Sequence, residues 1–215
     1  MGNGAWEQDK REVLIGILTR EVIHIQWAIS FKNLILPQTA GWTTISGMPF
    51  DHGRNLCAQR CLENNFEYLM FLDDDVVAPP DAYMKLLAHK ADIISGLYMR
   101  RTEPICPVMM RIQPNGQVSW VANFPVGETI EVDYVGAGCL LIHRRVLEKM
   151  QKPWFEWACG REDFQPSHRT SEDYYFCRKA KELGFRVQVD TSIQCTHIGY
   201  GQSALNTGFS PVRIG

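Results

Sequence analysis

Three consecutive carboxylates, Asp73, Asp74 and Asp75, end an apolar run that covers residues 68–72. Such a run is typical of a strand that is buried on both faces of a parallel sheet. Prolines then open an amphipathic segment, so the acids fall on a strand-to-helix turn, where open α/β sheets place their ligands. Because the carboxylates repel one another, the cluster favours a divalent cation that would also take phosphate oxygens. The alternative is a solvated acidic turn or helix cap.

Acidic and imidazole side chains recur further along the chain. Glu172 and Asp173 open a predicted helix directly after Ser171, and His197 follows the last predicted strand. Acids in a first helical turn are ordinary helix chemistry, and a single histidine is usually structural. An imidazole among carboxylates and phosphate oxygens is nevertheless a reasonable ligand for Mn²⁺. Their order relative to the acidic turn is therefore what gives these residues functional interest.

Composition restricts the class of protein. The 215 residues include 22 basic and 24 acidic side chains, which gives no basic field for nucleic-acid binding and predicts no nucleic-acid partner. The seven cysteines show no zinc-ligand spacing and indicate reduced thiols, with Cys57 and Cys61 in the core. The sequence contains no apolar stretch long enough for a transmembrane segment and no secretory signal, which predicts a soluble, cytoplasmic protein.

The elements that must position these residues alternate regularly in the first half of the chain. The predicted strands cover residues 13–18, 42–46, 68–72 and 92–97. The first predicted helix covers residues 22–34, the second includes Arg54 and Asn55, and the third covers residues 81–89. The β-α-β-α-β-α-β order implies a mostly parallel central sheet with right-handed crossovers. A chain of this length suits one such domain.

The second half is less regular. A turn at residues 113–117 predicts a hairpin, and two short strands over 130–135 and 139–142 flank Gly136, Ala137 and Gly138. These small residues permit either the close approach of a ligand or a tight crossing within the protein.

The remaining segments complete the predicted sheet and one wall of the site. Residues 153–170 have no clear period and predict a functional loop, in which Trp154 and Trp157 would contact a ligand or pack in the core. A helix that Ser171 caps ends at Gly184, and the last predicted strand covers residues 185–189.

Taken in order, these motifs resemble those of glycosyltransferases of the GT-A fold, in particular the broad family-2-like group that uses nucleotide sugars. The motifs that carry the resemblance are Arg54-Asn55, Phe71-Leu72-Asp73-Asp74-Asp75-Val76, Gly136-Ala137-Gly138-Cys139-Leu140-Leu141-Ile142, Ser171-Glu172-Asp173-Tyr174-Tyr175-Phe176-Cys177 and Thr196-His197-Ile198-Gly199. The resemblance extends from Val13 to about Gly199.

The resemblance implies an α/β, single-domain, Rossmann-like GT-A fold with helices on both faces of a mostly parallel sheet and a small antiparallel extension. It divides the chain into an N-terminal extension (1–12), the GT-A domain (13–200) and a flexible C-terminal tail (201–215). Within the domain, residues up to about 100 would bind the nucleotide sugar, and those from 101 would bind the acceptor.

The resemblance also implies a metal site for Mn²⁺ or Mg²⁺. Asp75 would bind the cation, Asp73 would face the ribose or the water shell of the metal, and His197 would complete the site. Asp74 would lie among the donor-binding residues, although its side chain is expected to point away from the metal.

The catalytic acids implied by the resemblance are Asp173 and Glu172. Asp173 would take a proton from the acceptor hydroxyl as that hydroxyl attacks the anomeric carbon, with inversion, and Glu172 would orient the acceptor. The acceptor would be a glycan or another hydroxyl compound.

The donor would be a UDP-sugar or a GDP-sugar. Thr19 and Arg20 end the first strand where family members hold the base, and Asp51 and Arg54 stand where base or pyrophosphate contacts are often found. The sequence departs from the usual pattern at Leu18-Thr19-Arg20-Glu21, which leaves the base unassigned. Tyr98, Arg100 and Arg101 would either close over the diphosphate or remain solvated.

Other functions fit parts of the pattern. A sugar-phosphate nucleotidyltransferase shares the sheet and the metal, but it would be expected to carry a Gly-rich loop after the first strand, where Thr19-Arg20-Glu21 stands. A metal-dependent nuclease would need a basic track that the composition does not give. A non-catalytic nucleotide- or glycan-binding module on the same fold is opposed only by the intact acids and His197.

Overall fold

The computed structural model describes residues 11–157 and 171–199. In chain order its strands are β1 (Arg11–Leu18), β2 (Gly41–Ile45), β3 (Phe66–Leu72), β4 (Val76–Val77), β5 (Ile93–Leu97), β6 (Met109–Ile112), β7 (Val118–Trp120), β8 (Thr129–Val132), β9 (Tyr134–Val135), β10 (Cys139–His143), β11 (Val187–Gln194) and β12 (Thr196–His197). Its helices are α1 (Ile25–Asn33), α2 (Phe50–Glu63), α3 (Ala82–Ala88), α4 (Arg144–Lys149) and α5 (Glu172–Glu182). The predicted alternation of strands and helices in the first half is confirmed.

A seven-stranded sheet with the order β2-β1-β3-β10-β5-β11-β8 forms the centre of this mixed α/β structure. Neighbours β1 and β2, β1 and β3, and β5 and β11 pair in parallel. Strand β10 lies antiparallel between β3 and β5, and β8 pairs antiparallel with β11 at the edge. The sheet is therefore mostly parallel, as predicted, but the position of β10 between two parallel strands has no local signal in the sequence.

Successive side chains of the inner strands point to opposite sides of the sheet, so apolar side chains lie on both of its faces. Helices cover both faces as a result. On β1, Leu14 and Leu18 pack into one core cluster, and Val13 and Ile15 pack into the other. The first cluster contains residues of α2, α4 and α5, and the second contains residues of α1 and α3. Each fully buried aliphatic side chain contributes roughly 1.5 to 3 kcal/mol relative to an exposed one.

Two small antiparallel sheets complete the structure. Strands β7, β6 and β9 form one of them, in which the predicted hairpin across residues 113–117 is confirmed. Strands β12 and β4 form the other. The second sheet matters for the site, because it joins the segment after β11 to the segment after β3.

Several element boundaries differ from the sequence prediction. Helix α1 begins three residues later than residue 22, because the side chain of His24 accepts a hydrogen bond from the backbone of Gln26 and caps the helix. Strand β11 continues to Gln194, where residue 189 was the predicted end. The polar residues there satisfy one another, since the Asp190 carboxylate accepts bonds from the backbone and hydroxyl of Ser192.

Other local predictions are confirmed. Gly184 follows the C-cap residue of α5 with a φ of 86°, a left-handed conformation that glycine adopts at low cost. Cys57 and Cys61 are fully buried in the core, and the cysteines within the described ranges are free thiols. Of the helices in those ranges, none combines the length and the apolar character needed to cross a bilayer. The predicted tail (201–215) and most of the predicted N-terminal extension lie outside the described residues.

Candidate active site

A cavity of about 410 Å³ opens beside the carboxyl ends of β1 and β3 and the start of α5. It brings together most of the residues that the sequence singled out, namely Arg20, Arg54, Asp73, Asp74, Asp75, Glu172, Asp173 and His197. Thr19 and Asp51 do not line it. The acidic turn and the later acids and histidine therefore face one space.

The pairing of β12 with β4 positions His197 against Asp75. His197 lies opposite Val76 in this pair, and the backbone amide of Ile198 donates to the carbonyl of Asp75 at 2.7 Å. As a result, Nε2 of His197 lies 3.5 Å from Oδ1 of Asp75. His197 thus lies just past the last strand of the central sheet, as expected, but in a short strand of its own that was not predicted.

The tautomer of His197 is fixed by its other ring nitrogen. Nδ1 lies 2.8 Å from the carbonyl oxygen of Met99, which can only accept, so Nδ1 carries a proton and donates it. In the neutral ring, Nε2 then presents a lone pair towards the Asp75 carboxylate. Two facing acceptors of this kind need a shared proton or a cation between them, and this donor set suits Mn²⁺.

Asp75 also pairs with Arg101, whose Nη1 lies 2.7 Å from Oδ2. Burial acts to raise the pKa of Asp75, but the hydrogen bond and charge of a protonated His197 and the charge of Arg101 outweigh it, so the pKa lies below its ordinary value. Asp75 is therefore held as a carboxylate. Within the described part of the chain, no cluster of three His, Cys, Asp or Glu side chains is arranged to hold a metal ion. Any cation here would complete its coordination with ligand oxygens or water.

Asp73 forms an ion pair with Arg54. Nη2 of Arg54 donates to both Asp73 carboxylate oxygens at 3.1 Å, and Nε donates to Oε1 of Glu172 at 3.1 Å. The guanidinium lies over the ring of Phe71 with 4.9 Å to its centroid. Arg54 is only 3% exposed, so it does not have the position expected for a pyrophosphate contact. Sequence reasoning took it for a ligand-binding residue because a buried arginine and a binding arginine look alike without their partners.

Asp74, which follows β3, contacts the residues that follow β1 and does not point away from the site as expected. Its Oδ2 accepts a hydrogen bond from the backbone amide of Arg20 at 3.4 Å, and its side chain lines the cavity. Burial raises its pKa, partly offset by the Thr19 hydroxyl. Arg20 itself lies over the ring of Phe50, 5.9 Å from the centroid. Thr19 does not line the cavity itself but contacts Asp74, which does.

Asp51 is positioned for structure and not for a donor contact. It stands in the first turn of α2, where its carboxylate accepts hydrogen bonds from the backbone amides of His52 at 2.9 Å and Trp157 at 3.5 Å. It lies outside the cavity wall, so its predicted donor role is not supported by its position.

Asp173, the neighbour of Glu172 in the first turn of α5, is held in place by hydrogen bonds from its own neighbours. Its Oδ1 accepts hydrogen bonds from the Ser171 hydroxyl and from the Tyr174 backbone amide, the latter at 2.9 Å. Ser171 occupies the N-cap position of α5, but its hydroxyl bonds Asp173 and makes no capping bond to the helix backbone. Burial, together with the adjacent Glu172 charge, raises the pKa of Asp173 to about 6. Such a pKa suits a general base near neutral pH.

The small residues before β10 serve a tight crossing. A Cβ atom at Gly138 would lie 2.9 Å from the Tyr98 ring and from Val76, and one at Gly136 would lie 2.7 Å from Val108. The Tyr98 hydroxyl accepts a hydrogen bond from the Gly138 amide at 3.0 Å. Tyr98 is therefore held in a fixed position beside His197, where it is largely buried but also lines the cavity.

The aromatic side chains of the predicted loop have different positions. Trp154 is 2% exposed and its indole donates to the carbonyl of Leu147, so it is a core residue. Trp157 is 47% exposed and lines the cavity. Residues 158–170 of the predicted loop lie outside the described residues. Sequence reasoning missed Trp120, which lines the cavity with Arg100 stacked 4.9 Å above its ring, because only the folded hairpin brings β7 to this wall.

Comparison with known proteins bears on the fold alone. No family model matches the chain, and no curated protein matches it. Among solved structures, the chain is similar to the crystal structure of A197 from STIV, with a TM-score of 0.66 and 22% sequence identity. The similarity covers 87% of this chain and 86% of that one. The two proteins therefore share their overall architecture.

Proposed function

We propose that this chain is a metal-dependent glycosyltransferase of the GT-A fold, which moves a sugar from a UDP-sugar or GDP-sugar to an acceptor hydroxyl. The observation that carries the proposal is the meeting of two acidic groups in one cavity, Asp73 to Asp75 with His197 on one side and Glu172 with Asp173 on the other. Sugar transfer needs a site for a diphosphate leaving group and a base for the acceptor, and these groups match the two needs. The mostly parallel sheet covered by helices on both faces supports the fold assignment.

Asp75 and His197 are the residues that would hold Mn²⁺ or Mg²⁺. Their facing oxygen and nitrogen, 3.5 Å apart, supply two ligands, and diphosphate oxygens and water would supply the others. When bound, the cation stabilises negative charge on the departing diphosphate. Arg101 now pairs with Asp75, so a cation would compete with Arg101 for that carboxylate.

Asp173 acts as the general base in this account. Its carboxylate accepts the proton of the acceptor hydroxyl while the oxygen attacks the anomeric carbon from the face opposite the diphosphate, which inverts the configuration. Hydrogen bonds from Ser171 and the Tyr174 amide hold the Asp173 carboxylate in one orientation, which is what proton transfer requires. Exposed Trp157 offers an aromatic face to the acceptor sugar.

Turnover of a panel of UDP-sugars and GDP-sugars with Mn²⁺, Mg²⁺ or excess chelator tests the proposal. We expect metal-dependent release of the nucleoside diphosphate from at least one donor, slowly to water and faster with an acceptor. A nucleotidyltransferase would instead release pyrophosphate from a nucleoside triphosphate and a sugar phosphate. Binding of nucleotides without any turnover would assign the chain to the non-catalytic class.

A further inference from the structure

Arg54 connects the two halves of the cavity through buried hydrogen bonds. It projects from α2 and contacts Asp73 at the end of β3 and Glu172 at the start of α5, each at 3.1 Å. The side chains of Arg54 and Glu172 are 4% and 7% exposed, whereas that of Asp73 is 26% exposed. One end of the bridge is therefore within reach of a ligand, and the other end lies in the helix turn that carries Asp173.

A guanidinium is the group that such a bridge requires. It is planar, permanently charged and able to donate in two directions at once, whereas an ammonium group is a single point charge on a flexible stem. The Phe71 ring, 4.9 Å away, fixes the plane in which the guanidinium donates. A change in the charge or position of one carboxylate therefore alters how strongly the Arg54 guanidinium interacts with the other.

The bridge contains more negative than positive charge, because one guanidinium faces three carboxylates. Arg54 interacts with Asp73, Glu172 and Asp173, and its own pKa is raised by these acids despite its burial. Within the described residues, its Nη1 is buried without a hydrogen-bond partner. One cation thus serves several carboxylates and has an unused donor, so its interactions can redistribute when a ligand binds.

We propose that Arg54 is a positioning residue that couples donor binding at Asp73 to the acceptor-side acids Glu172 and Asp173. The proposal rests on the glycosyltransferase function above. When a donor and its cation occupy the acidic turn, Asp73 shares its charge with them, and Arg54 interacts more strongly with Glu172. The first turn of α5, which carries Asp173, is thereby held in position for catalysis when the donor is present. Conversely, a change in that turn alters the affinity for the donor, because coupling between sites is reciprocal.

Reciprocity gives a test that a merely structural role would not satisfy. Glu172→Gln removes the charge at the acceptor end and keeps an oxygen that accepts from Nε of Arg54. Arg54 then interacts more strongly with Asp73, so the affinity for a donor nucleotide should fall by about fivefold or more although Glu172 lies on another element. The probes are UDP and GDP, each with Mn²⁺, measured by titration calorimetry. Glu182→Gln, at an exposed position of the same helix, is the matched control and should bind as wild type does.

Arg54→Lys tests the path of the coupling. Lysine keeps the charge but cannot span both carboxylates, so adding Glu172→Gln to Arg54→Lys should cause no further change in nucleotide affinity. If Arg54→Lys does not fold, Glu172→Gln in the wild-type background still decides the matter. Wild-type affinity in Glu172→Gln would overturn the coupling while leaving the proposed function intact. Failure of the wild-type protein to bind either nucleotide with Mn²⁺ would overturn both.

Discussion

His197 lies 3.5 Å from Asp75 because the two-residue strand β12 pairs with the two-residue strand β4, directly after the acidic turn. The Met99 carbonyl holds the other nitrogen of the imidazole at 2.8 Å, which directs Nε2 towards the carboxylate. A short backbone pairing thus brings together the two side chains of the proposed cation site from segments that are far apart in sequence. The predictions below follow from this site and from the acids that face it.

Asp75→Asn should abolish sugar transfer and remove the Mn²⁺-dependent part of nucleotide diphosphate binding, because it replaces a charged ligand with a neutral one of the same shape. Calorimetry with UDP and GDP, with and without Mn²⁺, measures the effect. Asp81→Asn is the control, since Asp81 forms an exposed pair with Lys85 at 2.8 Å. Unchanged metal dependence in Asp75→Asn would rule out the cation site.

Gly136→Ala should destabilise the fold by about 1 to 3 kcal/mol, the usual cost of overpacking a core. The added Cβ would overlap the Tyr98 hydroxyl and lie 2.7 Å from Cγ1 of Val108. Chemical denaturation measures the loss. Combining it with Tyr98→Phe removes the overlapping hydroxyl, so the double variant should be more stable than the sum of the single losses implies. Simple additivity would show that the two positions do not clash.

Trp157→Ala should raise the acceptor KM with little change in stability, because the indole is exposed and lines the cavity. Trp42→Ala is the matched control, since Trp42 is also exposed but lies on the edge strand β2 outside the cavity wall. Steady-state kinetics and melting temperature together measure the effect. A large loss of melting temperature with an unchanged acceptor KM would assign Trp157 to packing.

The sequence allowed the elements and the site residues to be predicted wherever the signal was local. Apolar runs marked β1 and β3, and Gly184 marked the end of α5. Contacts between distant segments could not be predicted. Whether Arg54 binds a ligand or bridges Asp73 and Glu172 depends on how α2 lies against the sheet.

Two pairs of similar residues show the same limit. Trp154 and Trp157 are indistinguishable in an irregular stretch, yet packing against the core buries only the first. Gly136 and Gly138 suited a ligand and a crossing equally well, until the position of Tyr98 decided for the crossing. In each case the missing information was tertiary.

The raised pKa of Asp173 predicts opposite effects of pH on activity and stability. Burial and the Glu172 charge raise this pKa from 3.8 to about 6. Transfer should therefore fall about tenfold per pH unit below 6 and level off above it, because a base must be deprotonated to act. The charges that act on Asp173 are those of Glu172, which raises its pKa, and Arg54, which lowers it.

The sign for stability follows from linkage. The folded state binds the Asp173 proton more tightly than the unfolded chain does, so this residue contributes a loss of stability as pH rises from about 4 to about 6. Asp173→Asn should therefore raise the melting temperature at pH 7 but not at pH 3.5. An equal effect at both values would show that the pKa is not raised.

Transfer by Asp173→Asn tests the central claim most directly. Asparagine keeps the volume and still accepts the bonds from Ser171 and Tyr174, but it cannot take the acceptor proton. We expect nucleotide and Mn²⁺ binding to be retained, transfer to fall by about two to four orders of magnitude, and the wild-type product to have the inverted anomeric configuration by NMR. Near-normal transfer by Asp173→Asn, or a retained configuration, would contradict the account.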